Sequence, residues 1–298
     1  GHHEWEKMGD NVGFKRTGGF TLAFNDREAQ LLEERMTMKR DVGADITFVS
    51  PKDVAKKEPH LAKKIIAASY CPDDGFANSS LSGQYYRRQL MDQKISIREN
   101  FKVTKINEKS NGYEIYAGDK VIKAKRILLA CGGWTKNIAA MLGEELPIRA
   151  RVNTVSVTER APRLMNGVIG HATGLLTMKQ KENGTVLIGG GWQGQGTPEE
   201  GRGTINPNTL LPNLQLAQFA IPALSNVRVV RSWTGFEANV PDFYPLAGKL
   251  GKRDNAYVLG CVRGGYTIGP YISKLMGDYI LGHEPEMPLF DPNRVFDE

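Results

Sequence analysis

The sequence predicts a mixed α/β fold in which two parts of the chain are interleaved. The apolar segment 126–130 runs directly into a glycine pair and a helix, and segment 256–281 repeats this strand, glycine turn, helix order. Between these two units, residues 148–231 contain longer strands with a different pattern. The strand–turn–helix pattern is interrupted by these longer strands and then resumes, which favours two interleaved domains over two sequential ones.

Three helices are predicted in the first 92 residues, each from a polar residue that can cap its first turn. Side-chain oxygens of Asn, Asp and Ser accept the free N–H groups of a helix start, and proline fits the first helical position. The caps are Asn25 or Asp26 for a helix to about Met38, Ser50 followed by Pro51, and Ser79 or Ser80 for a helix to about Met91.

Strands are predicted where short apolar or β-branched runs are bounded by turn residues such as Ser110-Asn111-Gly112. The continuous apolar run 126–130 is typical of a strand with both faces covered. A further helix is expected around 214–219. The strands are predicted over 18–24, 96–98, 103–106, 113–116, 121–124, 126–130, 153–158, 174–179, 184–189 and 256–260.

The composition excludes several classes of protein. The chain has 298 residues, 40% of them hydrophobic, and no apolar run approaches the roughly 18 residues of a membrane span. The net charge of +6 is spread among acidic neighbours, which argues against nucleic-acid binding and suits an anionic cofactor or a carboxylate substrate. Three scattered cysteines form no disulfide framework, so a cytoplasmic location is predicted.

The first candidate site is the end of the apolar strand, at Ala130, Gly132 and Gly133. Glycines at the carboxyl edge of a sheet allow a flat ligand to lie against bare backbone, at the place where open α/β sheets bind ligands. A plain strand-to-helix turn explains the same pattern, so this motif alone does not decide between the two.

The second candidate is segment 231–242, where Trp233 and Glu237 stand among glycines and prolines. This composition suits a pocket wall better than a regular element, although an exposed loop with a core tryptophan is the alternative. The third is the turn at Gly264, where helix N–H groups and a positive dipole end would face a bound anion. Arg263 there can pair with a substrate carboxylate or remain a surface arginine. Tyr266 and Trp233 are candidates for the pocket wall or for core packing.

Taken in chain order, these motifs resemble the FAD-dependent D-amino-acid oxidase superfamily, with glycine oxidase and sarcosine oxidase, and above all its opine, D-hydroxyproline and glycine dehydrogenase subunits. The resemblance covers nearly the whole chain. It rests on Arg16-Thr17-Gly18-Gly19, Asp74-Gly75, Ala130-Cys131-Gly132-Gly133-Trp134-Thr135, Trp233-Thr234-Gly235, Pro241-Asp242 and Gly265-Tyr266-Thr267-Ile268-Gly269-Pro270.

The resemblance implies an incomplete FAD-binding Rossmann-like domain interleaved with a large mixed or antiparallel-sheet substrate domain. The substrate domain would take residues 1–72 and 146–230, and the FAD part residues 73–145 and 231–298. The implied FAD contacts are Val103, Ala130, Gly132, Gly133, Trp134, Gly264, Gly265, Tyr266, Thr267 and Ile268, and the implied catalytic residues are Trp233, Glu237, Arg263 and Tyr266.

The implied reaction is hydride transfer from the Cα–H of a D-amino acid, glycine or secondary amino acid to the flavin, followed by hydrolysis of the imine. The flavin supplies the redox chemistry, and helix N–H groups near Thr267 would stabilise negative charge on its reduced ring. Oxygen and a quinone or partner subunit remain alternative electron acceptors. The related dehydrogenase subunits imply that a partner subunit is possible.

Two departures from the family pattern are visible. The family begins with a strand, a G-x-G-x-x-G turn and a helix that hold the FAD pyrophosphate, and this sequence starts at the segment that normally follows them. Weak FAD binding and an apolar sheet edge that favours aggregation or a partner are therefore expected unless that unit is supplied. Glu237 stands where such enzymes commonly carry an arginine for the substrate carboxylate. Either Arg263 takes over that role, or Glu237 recognises an amino group of the substrate.

Two further functions stay open beside the oxidoreductase. One is a non-catalytic fragment or accessory subunit that binds a partner without flavin, and the other is a small-ligand binding module that retains the substrate pocket. A yellow protein, which contains bound flavin, favours the enzyme. A colourless protein that tends to aggregate favours the accessory subunit, and amine binding without flavin favours the binding module.

Overall fold

The computed structural model describes residues 1–260, 264–294 and 296. The helices are α1 (His2–Met8), α2 (Asp26–Asp41), α3 (Pro51–Lys57), α4 (Ser79–Asp92), α5 (Thr135–Ala140), α6 (Pro207–Ala220) and α7 (Gly265–Leu281). The strands are β1 (Lys15–Arg16), β2 (Gly19–Ala23), β3 (Thr47–Val49), β4 (Ala67–Cys71), β5 (Gly75–Phe76), β6 (Lys105–Lys109), β7 (Gly112–Ala117), β8 (Lys120–Ala124), β9 (Ile127–Leu129), β10 (Arg149–Arg160), β11 (Val168–His171), β12 (Thr177–Gln180), β13 (Thr185–Gly189), β14 (Val229–Asn239), β15 (Leu246–Lys249) and β16 (Ala256–Gly260). None of the helices in these residues is long and apolar enough to cross a membrane.

The largest layer is an eight-stranded sheet with the order β14-β10-β13-β12-β11-β2-β4-β3. Only the pair β11 and β2 is parallel, and the other pairs are antiparallel. One face packs against α3 and α6 in a hydrophobic core. The buried side chains of this core come from alternate strand positions, among them Phe20, Leu22, Ile169, Met178 and Ile188.

The opposite face of this sheet is only partly covered. Helix α2 packs on it at β2 and β4, where Leu32 joins Ala23 and Ala67 in a small core. Farther along, β10 alternates between buried positions such as Thr154 and partly exposed positions such as Asn153. The partly exposed positions of β10 and β14 therefore form an open face, which we call the open sheet face.

A second, three-stranded sheet has the order β15-β16-β9. Strands β16 and β9 are parallel, with Ala256 beside Ile127 and Val258 beside Leu129. Parallel strands place their carboxyl ends at one edge of a sheet, so the two turns that follow them lie at the same edge. All residues of β16 are buried, and α7 covers the sheet through Ile272, Leu275 and Met276.

The structure corrects several sequence-based expectations. Segment 126–130 is not covered on both faces: Leu129 is buried on one face of β9, whereas Leu128 points to the other face and is 41% exposed. Residues 96–98 form no strand. Segment 231–242 belongs largely to the regular strand β14, which pairs with β10 from Arg149 to Thr158. The predicted domain boundary at residue 230 remains a prediction, and β14 pairs across it.

The residue that caps α4 is Asn78 rather than Ser79 or Ser80, and the helix begins at Ser79. The Oδ1 atom of Asn78 accepts hydrogen bonds from the N–H groups of Ser80 at 3.0 Å and Leu81 at 3.4 Å. Replacing Asn78 with alanine is expected to destabilise the protein by about 1 kcal/mol, because two helix N–H groups lose their acceptor. Ser79→Ala, the matched control, should change the unfolding free energy in urea by less than about 0.5 kcal/mol. Equal losses in the two variants would contradict the assignment of the cap.

Candidate functional site

The two glycine turns after β9 and β16 leave open space beside their backbones. Gly132 has φ 56° and Gly264 has φ 81°, the left-handed region that favours glycine. A Cβ atom added at either position would meet no heavy atom within 4 Å among the described residues. A flat ligand can therefore approach both turns along bare backbone, as expected from the sequence for Gly132 and Gly264.

Two consecutive residues of β14 connect these turns. The Phe236 ring packs edge to face on Trp134 at a centroid distance of 5.2 Å, and a Cβ at Gly133 would stand 3.1 Å from the Cβ of Phe236. The next residue, Glu237, accepts a hydrogen bond from the N–H of Gly264 through Oε1 at 3.2 Å. Successive strand residues point to opposite faces of a sheet, so the first glycine turn packs on the Phe236 face, whereas the second is bonded to Glu237 on the open sheet face. Both turns lie near the same end of β14.

Glu237 also ends a chain of side-chain hydrogen bonds. Its Oε2 accepts from Nδ2 of Asn153 at 2.5 Å, and Oδ1 of Asn153 accepts from Nε2 of Gln193 at 2.7 Å. Both carboxylate oxygens of Glu237 therefore act as hydrogen-bond acceptors. The Glu237 carboxylate therefore links Asn153 on the open sheet face to Gly264 at the amino-terminal end of α7.

A cleft of about 460 Å³ lies on the open sheet face beside Glu237. It has the size of a small-molecule site. Clefts of about 620 and 600 Å³ elsewhere on the molecule are lined by no residue of the open sheet face. The lining of the cleft on the open sheet face is mostly polar and consists of Arg35, Arg151, Asn153, Thr173, Gly174, Leu175, Thr177, Gly190, Gly191 and Glu237.

Tyr266 is held at the start of α7 by the amino-terminal helix and by α4. Its ring stacks on Trp5 at 4.7 Å, and its hydroxyl lies 2.6 Å from Oγ of Ser82. The indole N–H of Trp5 donates to the carbonyl of Tyr266 at 3.1 Å. Burial raises the pKa of the Tyr266 phenol above its ordinary value, so the hydroxyl stays protonated at neutral pH.

The remaining predicted site residues occupy different surroundings. Trp233 lies on the same face of β14 as Glu237, is 37% exposed and is not among the residues that line the cleft. The Trp134 indole donates to the carbonyl of Pro198 at 2.9 Å, which ties the loop after Gly194 to the first glycine turn. Arg263 lies outside the described residues, so its predicted role stays a prediction.

The other predicted FAD contacts divide between the sheet edge and packed positions. Ala130 is exposed directly after β9, next to the first glycine turn. Val103 packs against the core that contains Leu129, and Ile268 packs in the core under α7. The N–H groups of Thr267 and Ile268 bond to the carbonyl of Gly264, whereas those of Gly265 and Tyr266 have no hydrogen-bond partner within the described part of the chain.

Sequence reasoning missed four polar residues that this geometry brings together. Arg151 and Asn153 belong to β10, Arg35 belongs to α2, and Gln193 lies in the loop after β13. The alternation of polar residues at positions 151 and 153 with buried neighbours is the one signal that pointed to an open, polar strand face. Nothing local distinguishes Arg35 from the other charged residues of its helix.

Comparison with known proteins identifies the family of this chain. The model of the family described as DAO, FAD dependent oxidoreductase, matches residues 1–279. A subunit of opine oxidase from Rhizobium meliloti is 24% identical over 87% of this chain and 68% of its own length, and glycine oxidase from Geobacillus kaustophilus is 23% identical over 92% and 72%.

Solved structures show the same fold. The crystal structure of glycine oxidase from Geobacillus kaustophilus superposes with a TM-score of 0.88 at 21% identity, over 99% of this chain and 79% of that one. L-proline dehydrogenase from P. horikoshii gives a TM-score of 0.87 at 22% identity, over 98% and 80%. The predictions of a mixed α/β fold and of an FAD-dependent oxidoreductase are confirmed: the chain belongs to the DAO family of FAD-dependent oxidoreductases.

Proposed function

We propose that this protein oxidises the Cα–N bond of a D-amino acid, glycine or a secondary amino acid by hydride transfer to FAD. The observation that carries this proposal is the position of the polar cleft, which lies on the open sheet face beside Glu237, and Glu237 accepts the N–H of Gly264 at the second glycine turn. The names of two relatives, an opine oxidase subunit and glycine oxidase, support an amino-acid-like substrate.

The residues at this edge fit the pyrimidine side of a flavin ring. Gly132 and Gly264 leave space that a Cβ would occupy, and the N–H groups of Gly265 and Tyr266, at the positive end of α7, have no acceptor among the described residues. Flat, electron-rich rings are bound in this way by bare backbone and N–H donors. Gly132, Gly133, Gly264 and Gly265 would therefore contact the ring.

Bound FAD would accept a hydride from the Cα–H of the amine, while the amine nitrogen releases a proton and water hydrolyses the resulting imine. The residues of the chain itself orient the substrate. Asn153 and the N–H of Gly264 hold the Glu237 carboxylate in place, so a negative charge faces the region where a substrate amino group would bind. The N–H groups of Gly265 and Tyr266 at the start of α7 would stabilise charge on the reduced ring.

The test is reduction of the bound flavin under anaerobic conditions. The purified protein, saturated with FAD, is mixed with glycine, sarcosine, D-alanine or D-proline, and the visible flavin absorbance is followed. At least one of these amines is expected to bleach the absorbance, and acetate, which has no amine, is the matched control. A protein that binds FAD and is bleached by none of a broad amine panel would contradict the proposed reaction.

An accessory subunit without bound flavin is the second candidate. Two relatives are named as subunits, of opine oxidase and of hydrogen cyanide synthase, and β9 presents an edge with Leu128 exposed. An unpaired strand edge is a site for association with another chain. This candidate requires a colourless protein that does not bind added FAD, whereas retention of FAD after gel filtration would exclude it.

A further inference from the structure

Two arginines face the cleft and have no carboxylate partner among the residues that the structure describes. Arg35 donates to the carbonyl of Ala172, and Arg151 donates to the carbonyl of Gly191 at 3.4 Å. Neither takes part in a salt bridge with the described residues, whereas Arg16, Arg253 and Arg294 each bind a carboxylate. A guanidinium carries five N–H donors, so most donors of Arg35 and Arg151 have no acceptor in the described part of the chain and can bind a ligand.

Glu237 is the nearest acidic candidate for neutralising Arg151, and it does not do so. The two residues are direct partners across β10 and β14. The Glu237 carboxylate instead accepts from Asn153 and from the N–H of Gly264, and no salt bridge joins it to Arg151 within the described residues. The negative charge of Glu237 is therefore held at the glycine turn, and both guanidinium groups stay available on the cleft side.

The charges that line the cleft have a net value of +1, from Arg35 and Arg151 against Glu237. Two cations on one small cleft repel each other unless an anion is bound between them or at each of them. A guanidinium fork matches a carboxylate through two parallel hydrogen bonds. The ligand that complements this lining carries one amino group and two carboxylates, with a net charge of −1.

We infer that Arg35 and Arg151 form an anion subsite for a second carboxylate, so that the substrate is an amine that bears two carboxylates. The inference rests on the proposed function, because it names the substrate class of the same cleft. Arg35 comes from α2 and Arg151 from β10, so substrate binding bridges the helix and the open sheet face. Amines with one carboxylate leave one guanidinium without an anionic partner.

The experiment compares iminodiacetate with sarcosine, which has the same secondary amine and one carboxylate fewer. Binding to the FAD-saturated protein is measured by isothermal titration calorimetry without oxygen, together with flavin bleaching. Iminodiacetate is expected to bind about 10- to 100-fold more tightly than sarcosine. Arg35→Gln and Arg151→Gln should each remove most of that preference, because each deletes one charged fork while retaining a polar side chain.

Arg27→Gln is the matched control, since it removes the same charge from the same helix at an exposed position outside the cleft. It should leave the preference for iminodiacetate unchanged. Equal affinity for the two probes, or an unchanged preference in both cleft variants, would overturn the inference. Thermal unfolding of each variant identifies any loss that comes from misfolding.

The outcomes separate this inference from the proposed function. Arginine-dependent binding of iminodiacetate without bleaching by any amine would support the subsite and contradict the oxidation. Bleaching by sarcosine and iminodiacetate with equal affinity, unaffected by Arg35→Gln and Arg151→Gln, would support the oxidation and overturn the subsite.

Discussion

Replacing Gly132 with alanine is expected to lower the affinity for FAD at least about tenfold. Gly132 has φ 56°, and a Cβ there would enter space that no described residue occupies. A flavin ring that lies against this backbone would be held away by the added methyl group, and the loss of close contact along one edge costs more than about 1.4 kcal/mol. The measurement is titration of flavin fluorescence with the purified protein.

Gly118→Ala is the control for backbone strain. Gly118 has φ 60° in the turn between β7 and β8, and a Cβ there also meets no heavy atom within 4 Å. Both variants place alanine in the left-handed region and should lose about 1 kcal/mol of unfolding free energy. Only Gly132→Ala should weaken FAD binding. Equal FAD affinity in the two variants would show that the first glycine turn does not contact the cofactor.

The parts of this fold that the sequence revealed are those that depend on local interactions. Asn25 accepts from the N–H of Glu28, and Ser50 accepts from that of Asp53, so two helix starts were predicted from the capping residue alone. Both glycine turns were also identified, because positive φ values restrict the choice of residue. Asn78 was missed because two serines follow it, and all three residue types are good caps.

Long-range pairing decided the features that the sequence did not show. Segment 231–242 contains Gly235 and Pro241, which favour an irregular loop, but pairing with β10 imposes a strand up to Asn239. Segment 96–98 has a strand-like composition and finds no neighbouring strand in the described structure. A strand is stabilised by its partners, and the sequence does not specify where those partners lie.

The candidate site also has parts that local sequence encodes and parts that only long-range pairing creates. The glycine turns were predicted because each is encoded within a few residues, and the parallel pairing of β9 and β16 then brings them together. The cleft was not predicted, because Arg35, Arg151 and Glu237 lie about one hundred residues apart in the chain. Only the strand register places Glu237 opposite Arg151 and directs its carboxylate to Gly264.

Replacing Glu58 with alanine is expected to lower the unfolding free energy by about 2–5 kcal/mol. The side chain is 2% exposed, and its carboxylate accepts from the N–H of Asn166 at 2.9 and 3.0 Å and from that of Gly167 at 2.7 Å. Each buried N–H left without an acceptor costs about 1–3 kcal/mol. Urea denaturation gives the loss, and Glu33→Ala, an exposed position on α2, should change stability by no more than about 0.5 kcal/mol.

Glu58→Gln separates the hydrogen bonds of this carboxyl group from its ionisation. Glutamine keeps one acceptor oxygen, so its loss of stability should be smaller than that of alanine. Burial raises the pKa of Glu58 above its ordinary value of 4.5, although the N–H groups of Asn166 and Gly167 oppose the increase. Between 4.5 and the raised pKa, the folded protein retains a proton that the unfolded chain releases.

The contribution of Glu58 to stability should therefore decrease as the pH rises through that window, and above it the loss is complete. The glutamine variant has no proton to release at this position, so its disadvantage relative to the unmodified protein should be larger at acidic pH than at neutral pH. Urea denaturation of both proteins across this range gives the difference directly. A constant difference would mean that Glu58 has the same pKa in the folded and unfolded states, and that its two N–H donors fully offset the cost of burial.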